Sequence, residues 1–427
     1  MRAAGYRAAV FTLTDKLSAD CAAQREKFEG IVYDRFPEER YDVVIDAIFG
    51  TGFRGAPEGR FADAIARINE SGAKVVSADI PSGLNGDNGS SVSCVRADVT
   101  VTIGELKTGL LLGNGADVCG KIVTKDIGIQ LNQYPFAMIC GEGDFTKLFP
   151  PRKKNTNKGS FGKAVILGGS RAYSGAPFLT AAAALKTGCG YTQLVIPEDI
   201  FAGAVGRLPE AILTAAPCEG GFLAFDENFL RGLMKGANSF AIGMGCGVHE
   251  GLYECLRLIL SEYTGTLVID ADALNALSMY GTDILREKSC RVILTPHPKE
   301  FARLCGKSLD EVLTNGPVLA KAFAAEYGVT VLLKGHVSFV TNGKGGIFVN
   351  EGTPALAKGG SGDVLSGIIV SLAARGVSAA DSAACGSFLL GRAGNYASEY
   401  PSNEYSVSAC DVVAALPRAI SSLCIGR

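Results

Sequence analysis

Along this 427-residue chain, short runs of β-branched and apolar residues alternate with segments whose apolar positions recur at helical spacing. Residues 41–49 (YDVVIDAIF) are expected to form a buried strand, residues 60–70 a helix and residues 74–79 the next strand. Farther along, central strands are expected over 163–167, 193–196, 239–242, 266–270, 292–294 and 329–333. Strands alternating with helices at this spacing imply an α/β protein. Its parallel sheets should be covered on both faces and should bind ligands at the carboxyl ends of their strands. The polar, proline-bearing stretch 148–154 (LFPPRKK) marks a domain boundary or an entry loop. At the front, residues 1–6 have the pattern of a helix tail and run at once into an expected strand over 8–13. A doubly wound sheet normally opens with a strand and a turn before such a helix, so the chain is expected to begin inside a domain. No internal repeat or low-complexity tract interrupts the pattern.

Length and composition narrow the classes. A chain of 427 residues favours two or three domains, and 47% apolar with 20% charged residues is ordinary globular composition. A formal net charge of -2, without a basic stripe, leaves nucleic-acid binding no electrostatic basis. The longest apolar stretches, such as 367–374, fall well short of a membrane span, and residues 1–14 lack the marks of a signal peptide. Thirteen scattered cysteines without a Cys-x-x-Cys pair suit free thiols in a reducing cytoplasm. With three histidines, a His-rich metal centre is not expected.

The stretch Lys358-Gly359-Gly360-Ser361-Gly362-Asp363 carries the strongest chemical signal. A glycine-rich turn opening an apolar helix aims unpaired backbone N–H groups at an anion. Asp363 beside it is placed to take a proton from a hydroxyl that meets a phosphoryl group, or else is an acidic helix cap. Four other segments follow expected strands. Gly168-Gly169-Ser170 and Tyr173-Ser174-Gly175-Ala176-Pro177 could line a pocket or form an ordinary strand-to-helix turn. Asp270-Ala271-Asp272 sets two acids at a strand end, as ligand groups or as caps. His297, pinned between prolines, is a ligand contact or a structural histidine. Lys334-Gly335-His336-Val337-Ser338 offers a cation, a pliable backbone and a hydroxyl to a nucleotide's phosphates or ribose, or is a lysine-bearing hairpin. It is neither a Walker sequence nor a dinucleotide fingerprint.

In this order, GGS…SGAP, DADALN, TPHPKEF, KGHVS and GGSGD resemble the ribokinase-like NAD(P)H-hydrate dehydratase family over 142–427. Residues 42–56, 77–83 and 104–129 resemble the companion NAD(P)H-hydrate epimerase domain, Rossmann-like in fold, over 1–135. The resemblance implies two α/β domains fused for nicotinamide-nucleotide repair. It further implies dehydration of the S hydrate of NADH or NADPH (NADHX, NADPHX) through a phosphorylated intermediate. ADP would be the donor, ATP being the eukaryotic counterpart, with Mg²⁺ present. By resemblance Asp363 is the base and Gly362 holds phosphate. Lys334, Gly335, His336, Val337 and Ser338 bind the nucleotide, with Ser338 where a threonine is expected. Ala176, a glycine of the pair Gly245 and Gly247, and His297 face the hydrate.

In the epimerase domain the resemblance implies a K⁺ site on Asp46 and Ser82. The hydrate would meet Gly50, Thr51, Gly52, Phe53, Arg54, Gly55, Ala56 and Asp79. The family's Asn-Asn-Gly-Gly-Asp loop, which belongs ahead of a helix ending near Tyr6, does not occur in this sequence. As written, the chain is therefore expected to lack epimerase activity, or its start codon has been placed too late. The second explanation is favoured, because the other loops are intact. A homo-oligomer, tetrameric or larger, with small-molecule substrates and no membrane or nucleic-acid partner, completes the expectation. The alternative is a ribokinase-like small-molecule kinase with a non-catalytic nucleotide-binding module in front.

Overall fold

The computed structural model describes residues 5–128 and 136–424 and divides into two compact units, Met1–Gln133 and Tyr134–Arg427. Of the expected N-terminal helix tail, residues 1–4 lie outside the described residues, and Gly5 and Tyr6 are not helical. In the first unit β1 (Ala9–Phe11), α1 (Ala19–Glu26) and β2 (Ile31–Tyr33) make a small two-stranded parallel element of their own. Then come β3 (Val43–Asp46), α2 (Arg60–Glu70), β4 (Lys74–Ala78), β5 (Val99–Ile103) and β6 (Lys121–Lys125). These four strands form one parallel sheet in sequence order.

One face of this sheet is packed. Ile65 and Ile68 of α2 cluster with Val75, Val95 and the partly buried Val44. The opposite face carries no helix among the described residues. Val43 is 43% and Ile45 48% exposed, and Ile103 and Val123 lie on the same face, also exposed. Two expectations are corrected here. The strand expected over 41–49 is a four-residue edge strand, and among the described residues the sheet is covered on one side only. A buried-strand pattern reports apolar side chains on both faces, not whether a layer lies over each of them.

The second unit contributes β7 (Met138–Ile139), β8 (Lys163–Leu167), α3 (Ala176–Thr187), β9 (Tyr191–Pro197), β10 (Ile212–Ala216), β11 (Ser239–Ile242) and α4 (Glu250–Glu262). It continues with β12 (Thr266–Ile269), α5 (Ala271–Tyr280), β13 (Arg291–Leu294), α6 (Pro298–Cys305), α7 (Leu309–Tyr327), β14 (Thr330–Leu333), β15 (Ser338–Thr341) and β16 (Gly346–Val349). Three helices close it: α8 (Ser361–Ala374), α9 (Ala379–Ala397) and α10 (Ala409–Leu423). Ten strands form one sheet in the order β10-β9-β8-β11-β12-β13-β14-β15-β16-β7. Pairing is parallel from β10 to β14, and β15 is antiparallel to both its neighbours.

Here side chains of both parities are buried, so both faces are covered. Ala241, Val268, Ile293 and Leu332 pack in one cluster with α3, α8, α9 and α10, while Phe240, Leu267, Val292 and Val331 fill the other side. The helix α8 lies close against α3. A Cβ at Gly367 would stand 2.2 Å from the Thr180 carbonyl oxygen, so a larger residue there would push the helices apart. That close fit sets where the N-terminus of α8 sits. No helix of the described residues is long and apolar enough to cross a membrane.

Candidate active site

In the second unit the loops after β8, β11, β12, β13 and β14 stand side by side, because those strands are neighbours running in one direction. The N-terminus of α8 adjoins this edge. A Cβ at Gly362 would lie 3.7 Å from both Asp270 Oδ2 and Lys334 Nζ. Gly360 caps the helix at φ 95, in the left-handed region, and a side chain there would collide with Leu179 and Ala409. Asp363, half-buried in the first turn, has no hydrogen bond or ion pair among the described residues. Burial pushes its carboxyl up to about 7. The negative Asp270 and then Asp272 add to the rise, and Lys334 opposes it.

Asp270 is 2% exposed and fully engaged. Its Oδ1 receives Lys334 Nζ at 3.0 Å and its Oδ2 receives the Ser366 hydroxyl at 2.8 Å, tying the loop after β14 to α8. Lys334 Nζ also lies 3.8 Å from Glu300 Oε2. Burial alone would lower the Lys334 pKa, but Asp270 and Glu300 together hold the ammonium above its ordinary value. Gly335 and His336 are exposed in the turn that follows, and Val337 and Ser338 are buried at the start of β15. The segment 334–338 is thus both a lysine-bearing hairpin and a wall of the strand-end cleft.

His297 caps α6. Its Nδ1 accepts the N–H groups of Lys299 and Glu300 at 3.1 and 3.3 Å, and Glu300 accepts the His297 N–H at 2.8 Å. With Nδ1 an acceptor, the neutral ring carries its proton on Nε2, 3.4 Å from Glu300 Oε1. Burial, then the positive Lys334 and Arg303, lowers the His297 pKa, so the ring is neutral near pH 7. Both readings of this histidine hold together: it is a cap whose side chain remains 45% exposed.

Asp272 accepts the Gly247 N–H at 2.8 Å, which fixes the loop after β11. A Cβ at Gly245 would stand 3.2 Å from Ala176 Cβ, so those two sequence-chosen positions are neighbours. Asp363, Gly362, Lys334 and Asp270 are brought together around α8. Gly247 and Asp272 form a second contact at the same edge, and Gly245 with Ala176 a third. Sequence reasoning did not single out Glu300 or Ser366. The His-x-x-Glu spacing of a capping box could have flagged Glu300. Nothing local flags Ser366, whose partner is 96 residues away.

In the first unit Asp46 ends β3 fully buried. Its carboxylate accepts the Ser77 hydroxyl at 2.8 Å, the Ser82 N–H at 2.8 Å, the Ser82 hydroxyl at 2.5 Å and the Ile48 N–H at 3.3 Å. All four donors are neutral. Asp79, at φ 71, accepts the Ile103 N–H at 3.1 Å and Lys107 Nζ at 2.5 Å. Gly50 adjoins Asp79, since a Cβ on it would stand 3.8 Å from Asp79 Oδ2. Thr51, Gly52, Arg54, Gly55 and Ala56 are exposed, Phe53 stacks on Phe49 at 4.4 Å, and Arg54 pairs with Asp87. Lys107 went unremarked in the sequence because its partner lies 28 residues upstream.

A largely parallel sheet with its strand-end loops facing a glycine-capped helix N-terminus is a fold shared with solved structures. A ribokinase-like superfamily protein from Enterococcus faecalis superposes with a TM-score of 0.59 at 22% identity, covering 70% of this chain and all of its own. The ADP/ATP-dependent NAD(P)H-hydrate dehydratase from Bacillus subtilis, co-crystallised with ATP and Mg²⁺, gives 0.58 at 24% identity, covering 67% of this chain and 99% of its own. The model of the NAD(P)H-hydrate dehydratase family matches residues 164–418, and that of the YjeF-related protein N-terminus matches residues 1–109. Bifunctional NAD(P)H-hydrate repair enzymes are similar over most of the chain. That of Thermofilum pendens is 35% identical over 391 residues, 90% of this chain and 74% of its own. That of Moorella thermoacetica is 33% identical over 391 residues, 90% and 73% respectively. The chain belongs to the NAD(P)H-hydrate dehydratase family and carries the YjeF-type N-terminal domain ahead of it.

Proposed function

We propose that residues 142–427 dehydrate the S hydrate of NADH or NADPH, with ADP as phosphate donor and AMP and phosphate as products. The observation that carries this is Asp363. It is a carboxyl with no partner among the described residues, raised to about 7 at a helix N-terminus and poised to exchange a proton near neutral pH. In the first step Asp363 takes the proton of the ring hydroxyl while that oxygen bonds the β-phosphorus of ADP and AMP departs. In the second, the ring nitrogen's lone pair expels the phosphate, and loss of a proton from the adjacent ring carbon restores the dihydropyridine. The amides of Gly360 to Asp363 receive charge that develops on the transferring group. Lys334, clamped by Asp270 and Glu300, presents its cation beside the 335–338 turn where the nucleotide would lie.

Mg²⁺ fits as an ion that arrives with phosphates. Among the described residues no cluster of three ligating side chains forms a protein cage, yet Asp270, Asp272, Glu300 and Asp363 outnumber the one lysine. When bound, such an ion would offset phosphate charge.

For the first unit we infer a hydrate-epimerising site along Gly50–Ala56 and Asp79, with a K⁺ beside Asp46 and Ser82. A buried carboxylate with only neutral donors suits an added monovalent cation. The thirteen free cysteines favour a cytoplasmic setting, and a homo-oligomer is expected.

The test follows absorbance at the reduced-nicotinamide band, with purified protein, NADH hydrate, Mg²⁺ and either ADP or ATP. Recovery of NADH with matching AMP formation supports the dehydratase. A stable phosphate ester with no recovery of NADH would make the protein a kinase instead.

A further inference from the structure

A shallow, solvent-open cleft of about 580 Å³ lies between α5 and α6, lined by Val248, Asn275, Ser278, Met279 and Arg303. Nothing in the proposed chemistry uses it, yet each wall continues a segment that does. Val248 follows Gly247, whose N–H is bound to Asp272. Asn275 is on α5 one turn beyond Asp272, and Arg303 is on α6, ~9 Å along the helix from His297 at 1.5 Å per residue. The cleft therefore opens beside the strand-end site, on the side of Asp272 and His297.

Its chemistry is selective. Arg303 donates to Asn275 Oδ1 at 2.7 Å, and no carboxylate pairs with it among the described residues. Its charge reaches His297, where it adds to the lowering that burial causes, and Glu300, where it weakly opposes the rise that burial causes. Val248 and Met279 present exposed apolar surface, suited to a flat base or a ribose. Inside the neighbouring site the balance is the reverse, with four carboxylates around one lysine. The phosphates of ADP would already occupy the anion-binding end of that site, so the dinucleotide's own phosphates are left to the guanidinium.

We propose that the α5–α6 cleft is the subsite for the adenosine half of the hydrated dinucleotide, with Arg303 binding one of its phosphates. The subsite presupposes the dehydration reaction proposed above. Held there, the molecule would reach back past Asp272 and His297 with its hydrated ring towards Asp363. Arg303 would then be a substrate-binding residue that contributes to KM and leaves the chemical step alone.

The test compares wild type with Arg303→Gln and Arg303→Lys, using NADHX and NADPHX as substrates. For Arg303→Gln the hydrate KM should rise ~10-fold, the size of one lost charge-assisted hydrogen bond, with kcat and the KM for ADP within twofold of wild type. Arg303→Lys should recover part of the loss. A rise for both hydrates assigns Arg303 to the pyrophosphate, and a rise confined to NADPHX assigns it to the ribose phosphate. Unchanged KM for both hydrates, or a rise in the KM for ADP instead, would overturn the subsite.

A second measurement is independent of turnover: calorimetric binding of ADP-ribose, with and without a 2′-phosphate, to protein saturated with AMP. Binding weakened by Arg303→Gln but not by Asp363→Asn supports the cleft even if no hydrate is ever dehydrated. Binding indifferent to Arg303 removes it, whatever the enzyme does with the hydrate.

Discussion

Two buried aspartates stand at strand ends in the two units, and they are kept in opposite ways. Asp270 has its cation built in, with Lys334 at 3.0 Å and Ser366 on the other oxygen. Asp46 is equally buried but is surrounded only by N–H and hydroxyl donors. The sheets around them differ too. That of the second unit is covered on both faces, while Val43, Ile45, Ile103 and Val123 leave one face of the first unit's sheet open among the described residues. A buried carboxylate needs compensation, and the source of it separates the two sites. The second unit carries its own counter-charge in a closed core. The first depends on neutral dipoles, which leaves a role for an ion from solution.

The largest expected effect comes from removing the built-in pair. Asp270→Asn leaves Lys334 enclosed without its nearest carboxylate and should destabilise the second unit by about 3 kcal/mol. Asp46→Asn, which strands no cation, should cost less, and chemical denaturation of each variant measures the difference. Equal losses would erase the contrast.

Core truncations sharpen the contrast between the sheets. Leu267→Ala in the closed sheet should cost about 3 kcal/mol, whereas Ile45→Ala on the open face should cost less than about 1 kcal/mol. A cost at Ile45 matching that at Leu267 would show that the open face is covered in solution.

Asp363 tests the electrostatics of the closed site. Its carboxyl is raised from 3.8 to about 7. Between those values the folded chain holds a proton that the unfolded chain has lost, so this group's contribution falls as pH rises and is lowest above 7. Asp363→Asn should therefore melt higher than wild type above pH 7, by about 2–4 °C. The advantage should shrink steadily as pH falls towards 4.

The smallest effect is expected from ions. K⁺ should stabilise the first unit by about 0.4 kcal/mol at a concentration equal to its dissociation constant, and Asp46→Asn or Ser82→Ala should abolish the response. A melting temperature indifferent to K⁺ in wild type would leave Asp46 a purely hydrogen-bonded carboxylate.

The central strands of the second unit were legible because strands buried on both faces read as continuous apolar runs, and 163–167 and 239–242 match to the residue. The same pattern misled at 41–49. Whether a strand lies inside a sheet or at its edge depends on distant neighbours, and here β1 pairs with β2 instead of extending the sheet. Antiparallel β15 and β16 and the short β7 went unseen because they join the sheet through pairings as remote as Met138 with Ile347. At the site, Asp363, Asp270 and Lys334 were legible as polar residues punctuating apolar strands. Their clamps, Ser366 and Glu300, and in the first unit Lys107, do their work across folded space, where local spacing carries little signal.

The measurement closest to the central claim is the pH dependence of kcat/KM for NADH hydrate in wild type and Asp363→Asn. A base with a pKa of about 7 predicts a rate that climbs with pH through neutrality and then levels. The variant should lose about 10²–10⁴-fold of that rate and show no such limb. A variant that keeps the wild-type rate and the same pH profile would contradict Asp363 as the base and the mechanism built on it.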